Sequence, residues 1–304
     1  MTAQGLRWWI AIGSLLCALG AVVRAESLTV ATYNVENYTL ADRMTPDGYR
    51  PAYPKPEVAK AALRSVLRAM NADVVVLQEM GGRAYLDELR RDLAGEGLSY
   101  PHAEILEASD EPRHVAVLSR RPFTRVRRHA DLRFAYFGAD EPVKRGLLEV
   151  AVTFDGSELT LFAVHLKSRT TDRKDDPASA ARRAGEAEAI RDRILALYPN
   201  PTLVRFLVAG DFNDGPASRP VRAFLSRGET SIATLVPAGD ARGESWTHRY
   251  RAEDSYTRVD HLLVSPGLQS AVPKEGARIM DGPEVTAASD HRPVVLTLEL
   301  PDKS

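Results

Sequence analysis

The chain of 304 residues has a single cysteine, Cys17. No disulfide can form within it. If a leader carrying Cys17 is removed, thiol catalysis and cysteine-ligated zinc are excluded as well. An excess of one charge is also lacking: 40 Lys and Arg stand against 41 Asp and Glu, a formal net charge of −1. That balance neither demands nor excludes a nucleic-acid partner; a local basic groove would be needed to hold one. Long apolar runs are missing too. The longest, residues 8–23, falls short of the roughly 20 apolar residues of a spanning helix.

What surrounds that run is informative. Arg7 precedes it and Val23-Arg24-Ala25 follows it, the layout of a secretory leader. Residues 1–25 are expected to be a signal peptide cut before Glu26, with Ala18-Leu19-Gly20 as a second cleavage point. A retained membrane anchor is the competing reading. Cys17 follows Leu16 rather than a small residue, so lipid attachment is not expected. Residues 26–304 are expected to form one domain, monomeric, periplasmic or secreted, with no stable membrane anchor. At that size a core can hold without cross-links. Losing residues 1–25 removes Arg7 and Arg24 and no acid, which moves the net charge from −1 to −3.

The periodicity predicts an α/β chain. Strands are expected at 27–33, 73–77, 103–106, 115–119, 125–129, 147–154, 159–165, 203–209, 259–264 and 293–298, and helices at 57–70, 84–93, 179–197 and 219–226. Residues 46–56 are read as a Pro-rich loop and the stretch up to Thr257 as irregular. No repeat or low-complexity tract is present. Hairpins mixed with helical crossovers suggest two packed sheets covered by helices rather than a doubly wound parallel sheet.

Polar residues gather where these strands end. Gly210-Asp211-Phe212-Asn213-Asp214 follows an apolar strand, and Asn34, Glu79, His165 and Asp260 sit at other strand boundaries. Asp290-His291 lies just ahead of the last strand. If these groups emerge at one edge they form a pocket of carboxylates, amides and imidazoles. Oxygen-rich donors suit magnesium, manganese or calcium. Histidines beside carboxylates suit proton transfer. Together they suit attack on a phosphate ester by metal-polarised water.

Each group also has a plain structural reading. Gly-Asp-x-Asn is ordinary turn chemistry. Glu79 could cap the next helix, His165 could be a core histidine, Asp260 could pair with Arg258, and Glu36 is as readily a loop residue as a ligand. Lys167, Ser168 and Arg169 either line a groove or are simply exposed. His102, His114, His129 and His248 are read as structural or exposed.

Six motifs in order, Thr32-Tyr33-Asn34-Val35-Glu36-Asn37, Leu77-Gln78-Glu79, Val164-His165-Leu166-Lys167-Ser168, Gly210-Asp211-Phe212-Asn213-Asp214, Arg258-Val259-Asp260-His261 and Ser289-Asp290-His291-Arg292-Pro293, resemble those of the endonuclease/exonuclease/phosphatase family, in particular its secreted bacterial nucleases. The resemblance spans about residues 27–300. It departs at His261, where nuclease members commonly carry Tyr.

The resemblance implies a four-layer α/β/β/α sandwich of two mixed sheets, of the deoxyribonuclease I type, with the site at one edge. It also implies roles. Glu79, Asn34 and Asp290 would hold the cation. His165 would contact the scissile phosphate and could protonate the leaving oxygen. Asp211 would orient or activate water, and Asn213 would bond the phosphate. Asp260 and His291 would form a carboxylate–imidazole pair. Arg145 would bind phosphate, and Lys167 would line the substrate groove. Mg²⁺ is the expected ion, with Mn²⁺ or Ca²⁺ as alternatives.

The expected substrate is a phosphodiester in DNA or RNA, with a basic lane drawn from Arg125, Arg127, Arg128, Lys144 and Arg145. The alternatives are a phospholipid head group, a small phosphorylated metabolite, or a non-catalytic binding module. Residues 134–137 are the only candidate for an aromatic hairpin that enters lipid, and could equally be core.

Overall fold

The computed structural model describes residues 26–171 and 173–300; the signal peptide expected over 1–25 lies outside them. Two mixed sheets face each other. The first has seven strands in the order Ala238–Gly239, Ala277–Ile279, Val294–Glu299, Ser27–Tyr38, Val74–Met80, His114–Ser119, His102–Leu106. The second has six, in the order Thr234–Leu235, Asp260–Val264, Phe206–Asp211, Ser157–His165, Leu147–Phe154, Phe123–His129.

The central strands are apolar on both faces, and their alternation assigns each face to a layer. Val30, Val74, Val76, Leu207 and Ala209 fill the space between the sheets. Ala31, Tyr33, Val75 and Leu77 turn outward onto helices Glu57–Met70 and Arg83–Gly95. Phe206 and Val208 turn the other way onto Ala180–Leu197 and Arg219–Leu225. The result is the four-layer α/β/β/α sandwich expected from the motifs.

Helix Glu57–Met70 shows how sequence sets one of these layers. Pro56 precedes its first turn and Asn71 closes it in the left-handed region, φ 49°. Leu63, Val66, Leu67 and Met70 recur at a spacing of three or four and, with Arg64, are the residues it buries.

Register is what positions the site. In the second sheet His165 pairs with Asp211 and Asp211 with Asp260, so three motif residues stand side by side across three neighbouring strands. Gly210 permits this. A Cβ there would lie 1.9 Å from the carbonyl oxygen of Val164 on the adjacent strand, so no side chain fits. In the first sheet Asn34 pairs with Gln78, and the register then slips before Tyr38 meets Met80. The slip is a bulge on each strand, and Glu36, Asn37 and Glu79 lie in it at φ 46°, 54° and 61°.

Three local expectations are revised. The Pro-rich loop holds the turn and second strand of a hairpin, Ala41–Thr45 with Gly48–Tyr53, because Pro46, Asp47 and Gly48 supply a turn between extended segments. The strand expected at 203–209 begins later, at Phe206: Pro201–Leu203 is a 3₁₀ turn whose Asn200 side chain accepts from the Thr202 N–H. The stretch taken as irregular holds the short hairpin His248–Tyr250 with Ser255–Thr257. Its first strand bridges to His291.

Candidate active site

The ends of both sheets open into one cleft of about 570 Å³, lined among others by Glu36, Glu79, Asp211, Asn213, Asp290 and His291. Residues up to 255 positions apart in sequence therefore meet there: the Ser289 hydroxyl donates to the Asn34 carbonyl at 2.8 Å.

The second sheet contributes a tightly bonded set. Asp211 is buried and accepts from the Asn34 amide at 3.0 Å, the Asn213 backbone N–H at 2.7 Å and the Asn213 side-chain amide at 3.2 Å. Burial pushes its carboxyl up, Asp260 adds to this, and His291 opposes it; the pKa settles at about 7. Asp260 reaches His291 Nδ1 at 2.8 Å through Oδ2, while its backbone N–H donates to the Thr247 hydroxyl. Burial works against charge on His291, but the anionic neighbours Asp260, Asp211 and Asp290 outweigh it and carry the pKa well above the usual imidazole range. His291 is thus an imidazolium whose Nε2 lies 3.9 Å from Asp211.

His165 behaves in the opposite way. It is buried, and that burial, with Arg145, His291, Arg113 and Lys167 nearby, holds its pKa well below the usual range. Its Nε2 stands 3.6 Å from Asp211 and its Nδ1 has no protein partner among the described residues. Here His165 is a neutral ring backing Asp211 rather than a group at the cleft surface.

The first sheet contributes carboxylates. Glu79 does not cap a helix; its Oε2 accepts from the Asn37 N–H at 2.9 Å, and the helix that follows starts at Gly82 without a side-chain cap. Burial raises the Glu36 carboxyl and neighbouring Asp290 raises it further, with Lys55, Arg251 and Arg43 offsetting part of the effect. Asp290 is half-buried; desolvation raises its carboxyl, but His248 and His291 outweigh that and hold it at about 2. Glu36, Glu79 and Asp290 all face the cleft. Their oxygens are the hard donors a divalent cation takes, and Glu36 and Asp290 repel one another; the donors already gathered within 4.8 Å among the described residues are His248, Asp290 and His291, and Asp211, Asp260 and His291.

Several residues take places that the motifs did not predict. Asn34, expected beside the cation, has its Oδ1 on the Glu36 N–H at 3.0 Å and its amide on Asp211, so it joins the two halves of the site. Arg145 is buried, ion-paired with Asp110 at 2.6 Å, and is not among the cleft-lining residues. The Lys167 ammonium turns onto Ser168 and the Thr170 carbonyl; burial and then Arg145 lower its pKa to about 8. Its neighbours Ser168, Arg169 and Thr170 do line the cleft.

Four of the five residues of the expected basic lane are committed: Arg125 and Arg127 pair with Glu149, Arg128 with Glu104, and Arg145 with Asp110, which leaves Lys144. Asp260 does not pair with Arg258, whose guanidinium donates to the Val236 carbonyl. His261 is structural: its Nε2 lies 2.9 Å from the Asp214 carbonyl and burial lowers its pKa to about 4. His129 is tied to Glu149. In the 134–137 segment Tyr136 is buried and bonds Asp176, Phe134 packs on the core, and of the three aromatic rings Phe137 alone is largely exposed.

His248 is the residue that motif reading missed. It lines the cleft, its ring lies 4.5 Å from that of His291, and its Nε2 is 3.7 Å from Asp290. The clue lies in Thr247, whose hydroxyl accepts from the backbone of Val259 and Asp260 and so ties His248 to the Asp260 motif.

A family model described as Endonuclease/Exonuclease/phosphatase family matches residues 31–291. Solved structures share the fold. An endonuclease/exonuclease/phosphatase from Bacteroides vulgatus is 15% identical, with 90% of this chain and 99% of that one covered, at a TM-score of 0.64. Sphingomyelinase C from Streptomyces griseocarneus is 21% identical, with 90% and 99% covered, at 0.61. A beta-toxin variant from Staphylococcus aureus with bound magnesium ions is 15% identical, with 89% and 99% covered, at 0.60. No curated protein sequence matches the chain.

Proposed function

The chain belongs to the endonuclease/exonuclease/phosphatase family, hence to the metal-dependent hydrolases of phosphoester bonds, and from that premise we propose that it is an exported phosphodiesterase that cuts nucleic acid with Mg²⁺ as its ion. The observation that carries the phosphoester chemistry is the opposition, across one cleft, of Asp211, Asp260 and His291 to Glu36, Glu79 and Asp290. Export rests on the leader-like residues 1–25.

Glu36, Glu79 and Asp290 would hold the cation. When bound, it withdraws charge from a phosphate oxygen and polarises water. The protein's own groups do the rest. Asp211, with a pKa of about 7, is poised to take a proton from attacking water near neutral pH. Asn34 and Asn213 fix its orientation. The His291 imidazolium, held by Asp260, offers an N–H to charge developing on the phosphoryl oxygens or to the departing oxygen. Neutral His165 fills the space behind Asp211 without adding a second positive charge to compete for it.

Nucleic acid is favoured over a lipid because the cleft wall is polar, with Arg169, paired with Asp214 at 3.8 Å, at one margin. Ser168, Arg169 and Thr170 form one side and Tyr250, Ser255 and Thr257 another, with no apolar tunnel for acyl chains among the lining residues. One observation supports a second reading, a phospholipid head group. The hairpin that follows Glu36 exposes Leu40, Met44, Tyr49 and Tyr53, and sphingomyelinase C shares the fold. The deciding experiment incubates the chain lacking residues 1–25, with Mg²⁺, Mn²⁺ or Ca²⁺, against plasmid DNA, RNA, sphingomyelin and an inositol phosphate. Cleavage of DNA or RNA is expected. Turnover of sphingomyelin alone would replace the nucleic-acid reading with the lipid one.

A further inference from the structure

A second groove, of about 260 Å³, runs beside the catalytic cleft. The two share Asp290, which borders both, and the hairpin His248–Tyr250 with Ser255–Thr257 stands between them. The hairpin is fixed to the site by backbone bonds: the Arg249 N–H donates to the Asp290 carbonyl at 3.0 Å and the Arg292 N–H to the Thr247 carbonyl at 2.6 Å. Anything bound in the groove is therefore held at a set distance from the reacting phosphate.

The lining of the groove combines aromatic rings with arginines. Trp246 and Tyr256 meet edge to face at 4.9 Å, and Tyr256 is 46% exposed. Most of the arginines there are already committed. Arg242 pairs with Asp240, Glu244 and Asp281, Arg249 with Asp254, and Arg292 with Asp240 while it covers one face of Trp246 at 4.0 Å. Arg251 differs: among the described residues it has no acidic partner within ion-pair distance, and it is exposed at the hairpin tip. A structural hairpin has no need for an unpaired cation on its tip, nor for a tyrosine at its middle pair that stays exposed although Arg249 lies over its ring at 5.6 Å and its hydroxyl donates to Asp254. A ligand with an anionic group and a planar ring has a use for both.

Resting on the nucleic-acid reading of the cleft, we infer that this groove is the subsite for the nucleotide next to the scissile phosphate, with Arg251 on its phosphate and Tyr256 against its base. The subsite prefers an unpaired base, because a base stacked on a tyrosine must leave its own helix. It places the polarity of the strand across the site, with one flanking phosphate at Arg251 and the other side of the cleft at Arg169.

The test compares the unaltered chain with Arg251→Ala, Arg251→Lys, Tyr256→Ala and Tyr256→Phe. Hydrolysis of a single-stranded oligonucleotide is measured beside that of a small chromogenic phosphodiester with no neighbouring nucleotide. Binding of a fluorescent oligonucleotide is measured in EDTA over a range of salt. The expected result is a fall of roughly tenfold in the ratio of kcat/KM for oligonucleotide over small diester in each alanine variant. Arg251→Ala should also reduce the slope of log binding against log salt by about one. Arg251→Lys should restore the slope and Tyr256→Phe the ratio. Because Arg251 lies near Glu36 and Asp290, the ratio, not the absolute rate, is the readout. If the oligonucleotide is cleaved but ratio and slope are unchanged, the subsite is overturned and the nucleic-acid reading survives. If the unaltered chain neither binds nor cuts oligonucleotides, both fall.

Discussion

At the cleft the seven-stranded sheet ends in bulges and the six-stranded sheet ends in register. His165, Asp211 and Asp260 lie side by side on one rung of regular pairing across three neighbouring strands. Glu36, Asn37 and Glu79 come from a slipped register and hold positive φ without being glycine. Such conformations cost on the order of 1–3 kcal/mol each and persist where the surroundings over-determine them. The difference suggests a division of labour. The regular edge builds a dense proton-handling cluster, bonded within the protein except at His165 Nδ1 and Asp260 Oδ1. The strained edge presents carboxylates that repel one another until a cation joins them. Asn34 and His291 bridge the two halves, one through Asp211 and the other through Asp260.

The largest expected effect lies in the regular half. His291→Ala or Asp211→Asn should lower kcat by about 10³-fold or more, roughly 4 kcal/mol of barrier. No added cation should restore the rate, and the thermal midpoint of His291→Ala should stay within a few degrees. A large drop in that midpoint would mark His291 as structural. Next comes the pairing that makes this half regular. Gly210→Ala forces a Cβ against the Val164 carbonyl and should cost about 3 kcal/mol, read as a fall of roughly 10 °C in Tm by calorimetry. An unchanged Tm would mean that strand spacing there is not tight.

Glu79→Gln probes the strained half. It should weaken cation affinity about 10- to 100-fold, and raised Mg²⁺ or Mn²⁺ should recover most of the rate. Two pH effects are smaller. Asp211 acts when deprotonated and its pKa is about 7, so kcat/KM should rise as pH passes through about 7. The residual activity of Asp211→Asn should lack that limb.

Away from the cleft, Glu149 is fully buried among His129, Arg127 and Arg125. Burial raises its pKa, but those partners outweigh it and hold the value below that of an exposed glutamate. A lowered folded-state pKa favours folding above the unfolded value, near 4.3, and the gain disappears as pH falls through the folded value. Glu149→Gln should therefore lose stability at pH 7 and less at pH 3, in urea melts at both.

The regular half was legible in the sequence because strand period and motif order locate it. Residues 147–154, 159–165 and 259–264 were expected as strands, and the structure reproduces them to within two residues. The strained half was less legible. A bulge changes which way a side chain points without changing the sequence pattern. Asn34 therefore read as a ligand and Glu36 as equally a loop residue or a ligand, whereas Asn34 bonds Asp211 and Glu36 lines the cleft. Arg145 and Lys167 were placed on the substrate by motif position. Pairing with Asp110 for one, and burial beside Ser168 and Thr170 for the other, depends on contacts that sequence spacing does not encode. His248 read as structural or exposed because its hairpin is only three residues a side, too short for a periodic signal that would place it at the cleft.

The division of labour is tested most directly by titrating Mg²⁺ calorimetrically into Glu79→Gln and Asp211→Asn beside the unaltered chain. The account predicts that Glu79→Gln loses most of the affinity while Asp211→Asn, although nearly inactive, binds the ion as tightly as the unaltered chain to within a few-fold. Loss of binding in Asp211→Asn with retention in Glu79→Gln would contradict it, and would move the cation to the regular edge of the site.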